Sequence, residues 1–536
     1  MEAEHHSSRV CNSSAVEMEI ISRQIEWHYA QISLLKNKRN LLAPISNLPN
    51  EILCQIFSVY ATESGDVSSL KWTKLMLICR RWYDLAINHQ HLWSFIEVHG
   101  FHTDRDTKRL EVQLKRSGAA PLTIKLVYHT SPAFSSMVLD HSSRIVCFDV
   151  TGHAAVVLAI LPVLPSHQFP VLQTLKLKPD EIPDGTHSNF PDEIFDVAPR
   201  LKSLALSFVD LRLGLLRGLD SLALTRCAEA TTSIEPSFSD LLSTLGSLPG
   251  LKSLHLENLI SELSPGFIYN PVALPRLEFL YLRDDLQYIT DLLTHLIIPP
   301  TTSLALYPSG LTTGREARRI LVLLRRHLRS PSATTPRVIQ IDCPQVDSNT
   351  AYIPNLMINT YVLPQPPNLF GDAASFRINS HPVNEHALRQ IMTKVMNTIH
   401  CDSITHLDAR AATHLTMSSW RTALALLPSL ETVYLFLNNA ATNLVCALLE
   451  MEDAPKYPRR RLRHIQLLVF DWHREDEPDR VARDALERLL RAWHRAGAPL
   501  ETLEIDERFG PRDSDEDQWA LFSGLVGTLV RNRDRV

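Results

Sequence analysis

The chain has 536 residues, of which 45% are hydrophobic and 21% charged, and its formal net charge is −5 at pH 7. That length exceeds what one hydrophobic core supports, so several domains or a repeat array are expected. So weak a negative charge argues against a nucleic-acid-coating surface, and the composition is that of a folded protein.

Eight cysteines fall at positions 11, 54, 79, 147, 227, 343, 401 and 446 without any C-x-x-C pair. Scattered spacing of this kind points to reduced thiols, not to a zinc site or a disulfide framework. The opening residues MEAEHHSSRVCNSS carry no apolar run of the signal-peptide type. The most apolar window, residues 154–164, contains Pro162 and is too short to cross a bilayer. No membrane partner is expected, and the cytoplasm or nucleus is the expected location.

In chain order, residues 1–15 read as a disordered tail and residues 16–43 as an amphipathic helix. Ile20, Trp27, Leu34 and Leu41 recur seven apart, flanked by Ile21, Ile25, Ile32, Leu35 and Leu42. Two readings stand: a coiled-coil seam, or a helix packed against the rest of its own chain. The second is preferred, because the run holds fewer than four heptads and His28 and Arg39 fall off the pattern.

Residues 44–97 carry three apolar-patterned segments. Pro49 stands near a helix N-terminus, where its missing N–H costs nothing, and Glu51 suits the first turn. Ile52, Leu53, Ile56 and Phe57 form a helical stripe. Trp72, Leu75, Met76, Cys79, Trp82 and Leu85 form a second, and Leu92, Trp93 and Ile96 close the unit.

The order LPNEIL…IF…LICRRW…LW resembles an F-box, whose usual pattern is LPxELL…IF…L…VCRRW…A…LW. It departs by a longer loop over residues 62–69 and by Ile78 where Val is common. The resemblance implies docking onto the Skp-type adaptor of a cullin–RING ubiquitin ligase. Leu48, Pro49, Ile52, Leu53, Ile56, Phe57, Cys79, Trp82, Leu92 and Trp93 would carry that docking or the small core behind it. Trp82 and Trp93 are expected at the partner surface, the alternative being core aromatics.

Residues 98–165 read as a linker region with the first β–α units: strands at 95–98, 122–128 and 144–150, and a helix at 107–117 stopped by Gly118. LKRSG…PLTIKL followed by HSSRIVCFDV is similar to a set of fungal F-box proteins. Beyond residue 165 a phrase recurs: FPVLQTLKL, APRLKSLAL, LRGLDSLAL, LPGLKSLHL, LPRLEFLYL, LPSLETVYLFL, RRLRHIQLLVF and APLETLEI. Its core is L-x-x-L-x-L. Helical patterns lie between the phrases, at 239–248, 286–297, 315–328, 386–400, 420–427 and 480–496.

One strand and one helix per unit predicts an irregular leucine-rich-repeat solenoid over 166–536, with parallel strands inside and helices outside. The fold class is therefore α/β, an all-helical F-box followed by that solenoid. The competing architecture is a doubly wound sheet, disfavoured by the absence of a glycine-rich phosphate loop. Cys227 takes the Asn/Cys position of its unit. Residues 344–384, rich in Pro and Asn, are expected to be an irregular insertion, either on the solenoid rim or as a pair of poorly formed repeats. A last helix over 518–531 is expected to cap the open end, after the acidic loop 513–517.

No G-x-S-x-G, H-E-x-x-H, G-x-G-x-x-G or Walker-type motif occurs. GLTTGR at 310–315 lacks the phosphate-loop spacing and its lysine, so it reads as a turn. His381 and His386 are poorly spaced for a metal, and the acidic residues 471, 475, 476 and 477 around His473 read as a solvated loop. No cofactor and no enzymatic activity are expected. The chain is expected to be a target-receiving subunit of an SCF-type ligase, with a Skp-family adaptor, a cullin through it, and a target protein as partners. The alternative is a repeat scaffold that uses the F-box-like helices for another protein. Alternate strand residues face opposite ways, which nominates His255, Glu257, Phe279, Tyr281, Arg283, Tyr434 and Phe436 for target contact.

Overall fold

The computed structural model describes residues 2–63, 68–99, 104–127, 132–179, 189–207, 211–226, 237–260, 269–330, 333–343, 355–362, 374–436, 439–452, 462–468, 478–506 and 516–532. They divide into two compact units, residues 1–183 with 191–201, and residues 184–190 with 202–536. Cys227 and the acidic residues 471–477 lie outside the described residues.

The first unit begins with α1 (Glu2–Leu41), a 3-10 turn (Pro44–Asn47), α2 (Asn50–Glu63), a 3-10 helix (Lys71–Leu77), α3 (Arg80–Asn88) and α4 (Gln90–Trp93). It continues with β1 (Phe95–His99), α5 (Asp104–Arg116), β2 (Leu122–Val127), α6 (Pro132–Leu139), β3 (Ile145–Gly152), α7 (Ala154–Ile160), β4 (Thr174–Pro179) and α8 (Ile194–Val197). β1, β2, β3 and β4 pair in that order, all parallel. The parallel series therefore starts one residue after α4 and its neighbour Ser94, without a structureless linker.

α1 starts at Glu2 and so takes in residues expected to be a disordered tail. No Pro or Gly interrupts residues 2–41, and either would have broken the run. From residue 17 on, its large apolar side chains stay largely in water, contrary to the preferred reading. Ile25 is 49% exposed, Ile32 46% and Leu35 65%.

The helices after it close over a core of their own. Leu53, Phe57 and Ala61 of α2, spaced four apart, bury against Trp72, Ala86, Leu92 and Trp93. Each large side chain so buried contributes about 1.5–3 kcal/mol. The expected second stripe is broken in two: the 3-10 helix ends at Leu77, Cys79 is extended, and α3 starts afresh. Trp72 and Trp82 consequently reach the same core from two short helices.

The second unit contains β5 (Ser203–Ser207), β6 (Ser221–Thr225), α9 (Phe238–Gly246), β7 (Ser253–Glu257), β8 (Val272–Ala273), β9 (Phe279–Asp285), α10 (Leu286–His295), β10 (Leu296–Ile297) and β11 (Ser303–Ser309). Next come α11 (Gly314–Leu328), β12 (Val338–Asp342), β13 (Leu356–Tyr361), β14 (Phe376–Ser380), α12 (Glu385–Thr398), β15 (His406–Asp408), α13 (Met417–Ala425) and β16 (Thr432–Phe436). α14 (Asn439–Glu452), β17 (His464–Leu468), α15 (Pro478–Arg495), β18 (Leu500–Asp506), α16 (Glu516–Leu525) and β19 (Val526–Asn532) end it.

Every recurrent phrase contains a strand. The leucines of S-L-x-L bury completely, as at Leu254 and Leu256 of β7 and Leu280 and Leu282 of β9. Side-chain caps start the covering helices: Ser237 accepts from Asp240 N–H, Asn384 from Ala387 N–H, and Thr313 with Glu316 forms a capping box. That box accounts for GLTTGR as a turn into a helix, with Gly310 at φ +77°.

The described part of residues 344–384 forms two strands of the sheet. β13 runs antiparallel to β12 on one side and β14 on the other, and β14 lies parallel to β11. A hairpin is thereby spliced into the sheet, and β12 pairs onward with β15. The terminal helix is also shorter than expected: α16 stops at Leu525, and β19 pairs parallel with β18. Val526, Thr528 and Val530 are β-branched and favour a strand. A Cβ on Gly527 would lie 2.8 Å from the Glu501 carbonyl, so the close approach of β19 requires glycine there.

Candidate functional site

The residues nominated for adaptor docking separate into two layers. Leu53, Phe57, Leu92 and Trp93 are core, each at most 3% exposed. Leu48 and Trp82 are partly buried and pack on that core. Trp93 donates its indole N–H to the Ala86 carbonyl at 3.1 Å, meets Trp72 edge-on at 4.9 Å, and carries the Arg116 guanidinium over its ring at 4.5 Å. Phe57 and Trp82 are in ring contact at 4.9 Å. Of the two tryptophans expected at the partner surface, Trp93 is a core aromatic, and Trp82 packs on the core while staying partly accessible.

The outer layer holds Pro49, Ile52 and Ile56, all exposed, and Cys79, half-buried. Residues that sequence reasoning missed join them. Val59 continues the Ile52–Ile56 stripe at i+7 and is 53% exposed, while Leu77 is 85% and Ile78 54% exposed. The missed signal is apolar residues lying one step off the core stripe: α2 carries Leu53–Phe57–Ala61 on one line and Ile52–Ile56–Val59 on the next.

Arg81, part of the CRRW phrase but not nominated for docking, holds the start of this layer in place. Its guanidinium donates to the Asn50 Oδ1 at 3.1 and 2.8 Å, the Ser46 carbonyl at 2.6 Å and the Leu48 carbonyl at 2.6 Å. These bonds tie the 3-10 turn and the N-terminus of α2 to α3. Ser58 Oγ and His89 Nε2, 3.0 Å apart, link α2 to the start of α4. Burial, with the His91 charge nearby, holds the His89 imidazole below its ordinary pKa.

In the second unit the parallel register places one residue of each strand in a row. It runs Ala223, His255, Tyr281, Ala305, Arg377, Asn359, Gln340, Asp408, Tyr434, Gln466 and Glu504. His255 stacks on Tyr281 at 3.8 Å, and Tyr281 leans on Tyr307 at 4.9 Å. Glu257 pairs with Arg283 at 3.1 Å and approaches His255 at 3.6 Å. Arg377 donates to Tyr307 and to Asn359. Burial and the Glu257 charge push the Tyr281 hydroxyl up to about 12.

Of the residues nominated for target contact, His255, Glu257, Phe279 and Tyr281 are partly accessible and Arg283 is exposed. Tyr434 and Phe436 are buried, at 7% and 8%. The accessible nominated residues therefore lie on β7 and β9, and Ala223, Arg377, Gln466 and Glu504 of the row are partly accessible as well.

Towards β12 and β15 the row turns into a buried polar cluster. Asp408 and Arg410 form a two-pronged ion pair at 2.9 and 2.7 Å, and Asn359 donates to Gln340 at 3.0 Å. Asp342 accepts from Asn359 through Oδ2 at 3.4 Å, while its Oδ1 has no hydrogen-bond partner. Burial first, and repulsion by Asp408 second, push the Asp342 carboxyl up to about 7.

Among the described residues no cluster of His, Cys, Asp or Glu could hold a metal ion, and no helix is long and apolar enough to cross a membrane. Cysteines 54, 79, 147, 343, 401 and 446 are free. Burial drives the Cys343 and Cys401 thiols to about 12, which makes them unreactive.

Two outcomes follow. Arg81→Ala removes charge-assisted hydrogen bonds worth about 1.5–3 kcal/mol, so chemical denaturation should show the first unit destabilised by about that much. For Asp342, a folded-state pKa raised above the unfolded value means stability that is full below pH 4 and lost as pH rises through about 7. Asp342→Asn should accordingly flatten the fall in melting temperature between pH 5 and pH 8 and stabilise the protein at pH 8. A fall as steep as in the parent would remove the assignment.

A family model for the F-box-like domain matches residues 45–98. No curated protein matches. Among solved structures, the leucine-rich repeat-containing protein LegL7 from Legionella pneumophila is similar at 12% identity and a TM-score of 0.28, over 65% of this chain and 88% of that one. The yeast Rad7–Elc1 complex is similar at 11% identity and a TM-score of 0.26, over 88% and 96%. The TLR13–ssRNA13 complex is similar at 16% identity and a TM-score of 0.25, over 77% and 46%. Residues 45–98 match an F-box-like domain, and the strands and helices of the second unit build a leucine-rich-repeat-like array.

Proposed function

We propose that this chain is the target-receiving subunit of an SCF-type cullin–RING ubiquitin ligase. Its F-box-like domain binds a Skp-family adaptor, and through it a cullin, while the sheet face from β7 to β11 receives a target protein. The observation that carries the reading is the outer layer of the F-box-like domain. Ile52, Ile56, Val59, Leu77 and Ile78 stay exposed beside a core that is complete without them. Apolar side chains left in water on a well-packed small domain mark a protein-binding face.

The chain does no bond chemistry in this reading. It holds the target beside the ubiquitin donor, at an effective concentration of about a millimolar when the link is short. His255, Tyr281, Arg283 and Tyr307 present stacked aromatic faces with a guanidinium, residue types suited to binding hot spots. The work is done in the cytoplasm or nucleus.

Titration calorimetry with a purified Skp-family adaptor tests the first half. Ile56→Asp with Leu77→Asp alters exposed positions and should weaken binding at least 100-fold, about 2.7 kcal/mol, with the melting temperature of the chain unchanged. Equal affinity of parent and variant would refute adaptor docking through this face. For the second half, the full chain is affinity-purified with ligase activity blocked. Tyr281→Ala with Arg283→Ala should lose the target while keeping the adaptor, and an unchanged set of co-purified proteins rules this face out.

A further inference from the structure

We propose that α1 joins two copies of this chain as an antiparallel two-helix coiled coil. The motive is an apolar helix face left in water. Met18, Ile21, Ile25, Ile32, Leu35 and Leu42 are between 46% and 84% exposed. With His28 and Arg39 filling two places, the spacing alternates three and four, with Met18, Ile25 and Ile32 at one seam position and Ile21, Leu35 and Leu42 at the other. That is the heptad seam of a coiled coil. From residue 17 to Leu41, where α1 ends, the seam is about 36 Å long at 1.5 Å per residue. A length of this order suits a specific interface, which buries about 1,200–2,000 Å².

Charge selects a second copy and its direction. The half of the seam helix from residue 17 to 27 carries Glu17, Glu19 and Glu26 against one base, Arg23, which is already paired with Glu19 at 3.0 Å. The half from 28 to 42 carries Lys36, Lys38 and Arg39 and no acid. Antiparallel pairing sets each acidic half on a basic half, and it opposes the two helix dipoles favourably.

The two residues that break the seam agree. In a parallel pair, His28 and Arg39 would each face its own copy, like charge on like charge at Arg39. In the antiparallel register that sets Ile25 against the partner copy's Leu35, Arg39 falls opposite an isoleucine beside the acidic half, and His28 also falls opposite an isoleucine. Ile20, Trp27, Leu34 and Leu41 take the third position of each heptad and lie outside the seam.

The test is sedimentation equilibrium of the full chain at micromolar concentrations. The parent should run at twice the chain mass. Ile25→Asp with Leu35→Asp should run at the chain mass, with unchanged melting temperature and unchanged adaptor affinity, which keeps this outcome separate from the F-box assignment. Direction is read by oxidative cross-linking: Ile25→Cys with Leu35→Cys should link two chains, and Ile25→Cys alone should not. A monomeric parent, a tetramer, a variant that stays dimeric, or equal cross-linking by the single cysteine would each overturn the proposal.

Discussion

No strand of the array can bury its leucines without a neighbour in register beside it. The L-x-L segments of β6, β7 and β9 pair leucine to leucine, and every paired leucine is at most 3% exposed. A strand shifted by one residue would turn its leucines to water and its polar residues to the core. The whole second unit rests on this constraint, and so does the row of residues on the other sheet face. Once the leucines align, the residues between them align too, which is how His255 comes to stack on Tyr281.

The spliced hairpin shows what the constraint permits. β13 and β14 carry no L-x-x-L-x-L phrase, yet they alternate inward Leu356, Ile358, Phe376 and Ile378 with Asn359 and Arg377 on the other face. Alternation is all a sheet requires of its strands, so an antiparallel pair can stand among parallel ones. The cost is polar burial. Asn359, Gln340, Asp342, Asp408 and Arg410 are all under 7% exposed and must satisfy one another. The ion pair and the amide bonds do so nearly completely, leaving the Asp342 carboxylate as the member best kept protonated.

The F-box-like helices solve a different problem. A domain of about fifty residues with a small core is marginal, and here the aromatic side chains are spent on the inside: three tryptophans and Phe57 meet in one cluster. The outside is left with aliphatic residues, Ile52, Ile56, Val59, Leu77 and Ile78. Arg81 ties the two short segments that frame them. The division suits a part that must fold alone and still present a greasy face.

Much was legible before any coordinates. Short-range pattern determined the F-box order from Leu48 to Trp93, the strand at the end of every leucine phrase, and the helices between them, because helix and strand periods are written in neighbouring residues. Which side of a small helix stays in water was not legible: Trp93 is as apolar as Ile52 and Leu77, and only packing assigns it to the core. The hairpin at β13 and β14 and the terminal strand β19 escaped for a like reason. Their pairing partners are distant in sequence or depend on a glycine that lets two backbones approach. Burial of Tyr434 and Phe436, and the open face of α1, were likewise decided only by what the folded chain brings, or fails to bring, against them.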